Sequence, residues 1–347
     1  MTQCGPWRRT SVGGPVARRG LIAGMAALST LFSPIGFGFA PASAATASKP
    51  TYIVTPGCDT YDMAVDPVTN SVYLGCGEKL DVINGKTRKI STIPVDLETG
   101  PLGVDPKTDT VYATGWNPLT DRWVVATVDC RTRKVTHTVT SITRPGAVAV
   151  DPATDTIYVV GSSGIAVISG KTNRVTHTIK VGAYPATGIT VDSLTDRIYA
   201  SNQGEISGAG AGVAIINGRT DKVIGKITGS YEPGALTVDP NSDTIYVIDG
   251  GGENTVSALN GKTDSYAATI NVGLLPVALG VDPSTDTVFV ANSQGNSISA
   301  IDGKTKRVRN IRVEYPEGVG VNTTTETVYV GADDVAASSA AVAVFHG

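Results

Sequence analysis

Past residue 50 the apolar positions fall in short runs such as "VYLG", "IYVV", "IYVI" and "VFVA", each closed off by Gly, Pro, Asp or Asn. These runs are too short and too rich in β-branched and aromatic residues for helices, and they predict strands. They are also more continuously apolar than a strand with one wet face, which predicts sheets buried on both sides. The runs recur. An Asp anchors a turn before each of them, at Asp66, Asp105, Asp151, Asp192, Asp239 and Asp282, with Asn322 in the seventh place, at spacings of 39, 46, 41, 47, 43 and 40 residues. A second turn follows in six repeats: "NGKT" at 84, "DCRT" at 129, "SGKT" at 169, "NGRT" at 217, "NGKT" at 260 and "DGKT" at 302. Two turns and a long connection per repeat give four short strands, a unit that no helical repeat of this length produces.

Seven such units predict an all-β fold, a seven-bladed β-propeller of four-stranded antiparallel blades. A two-sheet sandwich is the alternative, and seven similar units fit it poorly. The last repeat supplies three strands, "EGVGV", "ETVYV" and "AVAVFH", before the chain stops. The stretch "KPTYIVTPG" resembles the fourth strand of a repeat. Thr51–Thr55 is therefore expected to complete the last blade beside the C-terminal strand, removing an open edge and tying down both ends.

On these residues the chain resembles the YVTN-type β-propeller repeat family of secreted and cell-envelope proteins. The tetrad stands here as "YVVG" (158–161), "YVID" (246–249), "FVAN" (289–292) and "YVGA" (329–332), within repeats carrying "VDP-x-T-D-T-[IV]" and "NGKT". The resemblance spans residues 50 to 347. It implies the fold and leaves the activity open, because related propellers include lactonases, lyases, metal or quinone enzymes and plain binding modules.

The first 44 residues have another character. Four arginines (Arg8, Arg9, Arg18 and Arg19) precede the apolar run "LIAGMAALSTLF", and "APASAA" offers a small-residue cleavage site after Ala44. That is the arrangement of a secretory signal, by the Sec or the twin-arginine route. The expected organisation is a signal at 1–44, a linker at 45–49 and one propeller over 50–347. Export predicts a secreted or cell-envelope protein, with no membrane span in the mature chain. Losing the signal removes four bases and no acid, leaving 24 bases against 31 acids over 303 residues. No basic stripe for a nucleic-acid partner is left.

In a four-stranded blade the turn between the second and third strands opens on the same face as the loop leading into the innermost strand. These connections are irregular here, whereas the "DP-x-T" and "GKT" turns of the opposite face scarcely vary, so the irregular face is the expected binding face. The recurring aspartates are read as turn caps. Tyr61, Arg144, Tyr184, Tyr231 with Glu232, and Tyr315 with Glu317 precede or enter innermost strands. Trp116, Asn117, Arg122 and Trp123 lie in the insertion "GWNPLTDRW", and Asn202, Asp249 and Asn292 follow second strands. Aromatic walls with a few oriented polar groups suit an envelope polysaccharide, a peptide or a small-molecule ligand, bound by a monomer.

Catalytic signatures are sparse. His137 and His177 fall at matching places on outer strands and His346 at the C-terminal end, all three read as structural. No "G-x-S-x-G" or "H-E-x-x-H" occurs. Glu232, Asp249, Asn292 and Glu317 carry the hard oxygen donors that Ca2+ or Mg2+ takes. A metal-assisted, lactonase-like hydrolase, or a lyase or isomerase acting at the same face, is thus the alternative to a binding or protein-interaction propeller for which no cofactor is expected.

Three cysteines follow the signal: Cys58, Cys76 and Cys130. Cys58 precedes the innermost strand of the first repeat and Cys76 ends the strand after it, so antiparallel pairing brings both to the irregular face. Cys130 belongs to the opposite face. A Cys58–Cys76 disulfide with Cys130 free is expected, without a redox role.

Overall fold

The computed structural model describes residues 50–347 apart from 56–57, 59–61, 183–185, 205–209, 231 and 335–338, with the backbone alone at 333, 334 and 339. The expected signal and linker lie outside the described residues. The chain forms seven four-stranded antiparallel sheets, a seven-bladed β-propeller. Blades one to six span 63–94, 98–139, 148–179, 188–227, 236–271 and 276–312. The seventh is built from both ends of the chain. Pro316–Asn322, Thr327–Asp334 and Ser339–His346 are completed by Thr51–Val54, which pairs Thr51 with Val344 and Val54 with Ala341. The Thr55 N–H continues the seam to the Ala340 carbonyl at 2.9 Å. First strands pack on first strands around the ring, including 63–66 against 316–322. Among the described residues no helix is long and apolar enough to cross a membrane.

The apolar second strands follow from the stacking. Each of the seven hydrophobic clusters sits between two neighbouring blades. In the first blade Val72 and Leu74 face blade seven while Tyr73, between them, faces blade two. With period-two side chains and both faces covered, every position of that strand must be apolar or find a partner. The aromatic of each second strand (Tyr73, Tyr112, Tyr158, Tyr199, Tyr246, Phe289 and Tyr329) is at most 2% exposed.

The invariant turns are self-capped. Asp66, Asp105, Asp151, Asp192, Asp239, Asp282 and Asn322 each accept the backbone N–H two residues on, at 2.8–3.0 Å. The fourth residue after each of them has φ between 51° and 58°. Its carbonyl takes the N–H of the second residue of the partner turn, as Asp155 does from Gly170 at 2.8 Å. Glycine leaves room at 170 for the Asp155 carboxylate, which a Cβ there, 1.7 Å from Oδ1, would displace. Blade two alone among the six internal repeats has a side chain at this place, Cys130.

Candidate functional site

The "GWNPLTDRW" segment is not a loose loop. It prolongs the second and third strands of blade two, Thr110–Asn117 and Arg122–Asp129, into a hairpin in which Trp116 pairs with Trp123 and Asn117 with Arg122. Blade three turns instead between Gly161 and Gly164. The tip is held by Asn117, whose Oδ1 accepts the N–H groups of Leu119 and Thr120 at 3.0 and 2.9 Å, with Asp121 at φ 56°. The indoles meet edge to face, centroids 5.3 Å apart and planes at 69°. Trp116 also pairs with Glu98 of the innermost strand, an approach that Gly115 permits, since a Cβ there would lie 2.1 Å from the Glu98 carbonyl oxygen. Leu119 is 82% exposed and Trp123 37%. An apolar tip and a rigid indole pair thus present themselves to solvent on the irregular face.

The connections into the innermost strands share one device. Arg144, Glu232, Leu275 and Tyr315 each precede a buried proline (Pro145, Pro233, Pro276 and Pro316) and each has positive φ, 50°, 43°, 54° and 42°. The left-handed region is sparsely used by non-glycine residues. Arg144, Leu275 and Tyr315 are exposed and Glu232 is half-buried. The strain is held from the neighbouring turn. Asn254 takes the Leu275 N–H on Oδ1 at 2.9 Å and the Val272 N–H on its carbonyl, and Asn296 does the same for Tyr315 and Val313. Leu275, Asn254 and Asn296 are contributors that sequence reasoning missed. The signal for the two asparagines was present as "N-T-V-S" and "N-S-I-S", an Asn placed just before a third strand. Tyr61, Tyr184 and Tyr231 lie outside the described residues.

Cys76, Asn202, Asp249 and Asn292 occupy one structural position, the residue at the end of the second strand, and there they turn inward. Asp249 is 5% exposed and its carboxylate accepts Ser230 Oγ at 2.7 Å, Thr255 Oγ1 at 2.8 Å and Ser257 Oγ at 2.8 Å. Asn292 is fully buried and donates Nδ2–H to the Ser297 carbonyl and Ser299 Oγ, each at 3.0 Å. Asn202, 4% exposed, accepts the Gly204 N–H at 2.8 Å. In blade one the same position is covalent, with Cys76 bonded to Cys58 across a separation of 18 residues, and Cys130 is the free thiol. These groups pin loops to strands. Glu317 sits at a bulge opening the innermost strand of blade seven.

Among the described residues, Glu232, Asp249 and Glu317 do not come together as one group of acids, and the Asp249 carboxylate is wrapped by hydroxyls. Among the described residues, the acid and sulfur ligands near enough to share an ion are Cys58, Cys76 and buried Asp81, and there the sulfurs are bonded to each other. Asp81 is 3.2 Å from Cys58 Sγ and accepts Thr92 Oγ1 at 2.8 Å. His177 pairs with Asp221 of the next blade, 3.1 Å away, in a bridge between blades. On the other face, a cavity of about 190 Å³ between blades one and two is lined by Tyr73, Asp109, Cys130 and Arg133 among others. Burial pushes the Cys130 thiol up to about 11 there, which makes it a poor nucleophile.

No protein-family model matches the sequence, and no curated protein matches it. Among solved structures the chain is similar to one chain of the crystal structure of the mitotic checkpoint complex, at 12% identity and a TM-score of 0.72, over 93% of this chain and 99% of that one. At that identity the likeness establishes the shared propeller fold.

Proposed function

We propose that the protein is an extracytoplasmic interaction propeller whose irregular-loop face binds a protein or peptide partner. The observation that carries the reading is the blade-two hairpin, with exposed Leu119 at the tip and the Trp116–Trp123 pair behind it. Large, rigid aromatic side chains that lose little entropy on binding are the usual anchors of protein interfaces. The exposed side chains of the strained connections, Arg144, Leu275 and Tyr315, give the same face charge and further apolar area. The structural neighbour is itself part of a multiprotein complex, in keeping with a propeller used for assembly. The signal-like leader supports export, and the Cys58–Cys76 bond fits an oxidising compartment. The YVTN-like repeats support a place among the secreted and envelope propellers. The commitment of the Asp249 carboxylate to three hydroxyls weighs against the metal-assisted hydrolase.

The test is a binding screen of envelope peptides, proteins and polysaccharides against wild type, Trp123→Ala and Leu119→Ser. Either variant should weaken binding of a protein or peptide ligand by about tenfold or more with an unchanged melting curve, as expected of a hot-spot residue. Equal losses of stability and binding would assign the tryptophan to packing. Selective retention of a polysaccharide would replace the protein partner by a glycan.

A further inference from the structure

On the short-turn face the repeat sets the first-turn anchor of one blade toward the fourth residue of the next blade's turn. At the seam both are amides, and Asn322 Nδ2–H donates to Asn70 Oδ1 at 2.8 Å. Between blades three and four other donors serve: Ser193 Oγ–H reaches Asp151 at 2.8 Å and Arg219 Nε–H reaches Asp196 at 2.8 Å. At four junctions both places hold an aspartate, Asp66 and Asp109, Asp105 and Asp155, Asp192 and Asp243, and Asp239 and Asp286, and the charge of the first raises the second. The first member of each pair is fully buried. Asp105 Oδ2, Asp109 Oδ1 and Asp286 Oδ1 are buried without a hydrogen-bond partner, as is Asp282 Oδ2 of the first turn of blade six, outside the four pairs. Two ionised carboxylates have no proton with which to make the contact that the seam makes through an amide.

We propose that each of these four pairs takes up one shared proton on mild acidification of the folded protein, and that this tightens the ring. One carboxyl O–H then plays the part that Asn322 Nδ2–H plays at the seam. The surroundings favour a proton over a metal ion. Asp109 also faces Arg131, Asp129, Tyr73 and Cys130. Asp155 faces Lys107, Lys171 and Tyr112. Arg197, Lys262 and Tyr199 surround Asp243. Lys304, Lys306 and Tyr246 surround Asp286, with Asp302 beyond Lys306. Each pair thus has a cation at hand that would repel a metal, and among the described residues no third acid comes close enough to complete a shared site. Burial first, and the facing carboxylate second, raise Asp109, Asp155, Asp243 and Asp286 above the ordinary 3.8 despite those cations.

The sign follows from linkage. A carboxyl that holds its proton more tightly folded than unfolded contributes stability that is complete below the unfolded value near 3.8. That stability is lost as pH rises through the raised folded value. Asp129 and Asp302, lowered by backbone N–H bonds, act oppositely, losing stability only as pH falls below the ordinary value. Asp221, raised by burial and standing 3.1 Å from His177, acts in the same direction as the pairs, so the share of the pairs is the part that their substitution removes.

The experiment is thermal unfolding of the full chain at about pH 7 and about pH 5, for wild type and for Asp109→Asn, Asp155→Asn, Asp243→Asn and Asp286→Asn, singly and combined. These positions are chosen because the first-turn aspartates cap backbone. Wild type should melt higher at the lower pH. Each substitution should raise the neutral-pH melting temperature by about 2 °C and the combination should flatten the pH dependence. A wild-type melting temperature that is level or falls on acidification overturns the proposal, as does a pH dependence in the combined variant as large as that of the wild type. Carboxyl 13C titration of the wild type checks the point without any variant. Four aspartates should titrate above the ordinary range, and their absence would overturn it. A rise in stability with CaCl2 at neutral pH that the variants abolish would also overturn it, making the pairs cation sites.

Discussion

Replacing Cys58 and Cys76 together by alanine tests how the seam is held. Cys58 follows the closing strand Thr51–Val54 by four residues, and its partner ends the second strand of blade one. The bond thus fastens the segment joining blade seven's outer strand to blade one's inner strand. Both sulfurs lie within the cluster between those blades, at 6% and 3% exposure. In the chain-entropy treatment a loop of 18 residues contributes about 3 kcal/mol, or a loss of about 6 °C in a chain of this size. Urea unfolding of the double variant, oxidised wild type and wild type reduced with a thiol separates the contributions, since reduction keeps the sulfur volume that alanine removes. The reduced wild type should lose less than the variant, because a Cys58 thiol 3.2 Å from Asp81 Oδ2 gains a hydrogen bond unavailable to the disulfide. Unchanged unfolding midpoints in both forms would refute this account of the seam.

Three further outcomes follow from the same geometry. Gly170→Ala should destabilise the protein by about 1–3 kcal/mol through overpacking against Asp155, read by denaturant unfolding, and a neutral effect would contradict the need for that room. Cys130→Gly, which restores the residue used at that place in the other internal repeats, should be tolerated within about 1 kcal/mol. Alkylation of native Cys130 near neutral pH, followed by mass spectrometry, should run far slower than that of an unfolded thiol, because burial keeps the sulfur protonated; equal rates would show an accessible thiolate.

The blade count, the seam and the disulfide were legible because they rest on local turn chemistry and on strand order. "DP-x-T" and "GKT" reveal where the chain reverses, and reversals fix which ends share a face. What the pattern could not show was the direction of a single side chain at a strand end. Asn202, Asp249 and Asn292 read as polar groups on the binding face, yet the pleat turns them inward, where the hydroxyls of Ser230 and Ser257 satisfy Asp249 while Asn292 Oδ1 is left without a partner. Trp116 and Trp123 read as an insertion, and their cross-strand pairing emerged only once the hairpin register was fixed. The aspartate pairs join residues some 43 to 51 apart in different repeats, from Asp66–Asp109 to Asp192–Asp243, so no local window contains both.

The central claim is that the irregular face, led by the blade-two hairpin, makes the functional contact. A photo-crosslinking residue placed at Leu119, and separately at Lys171 on the short-turn face, tests it in cells that export the protein. The account predicts a discrete cross-linked protein from position 119 that is lost with Trp123→Ala, and none from position 171. Cross-links from 171 with none from 119 would contradict it.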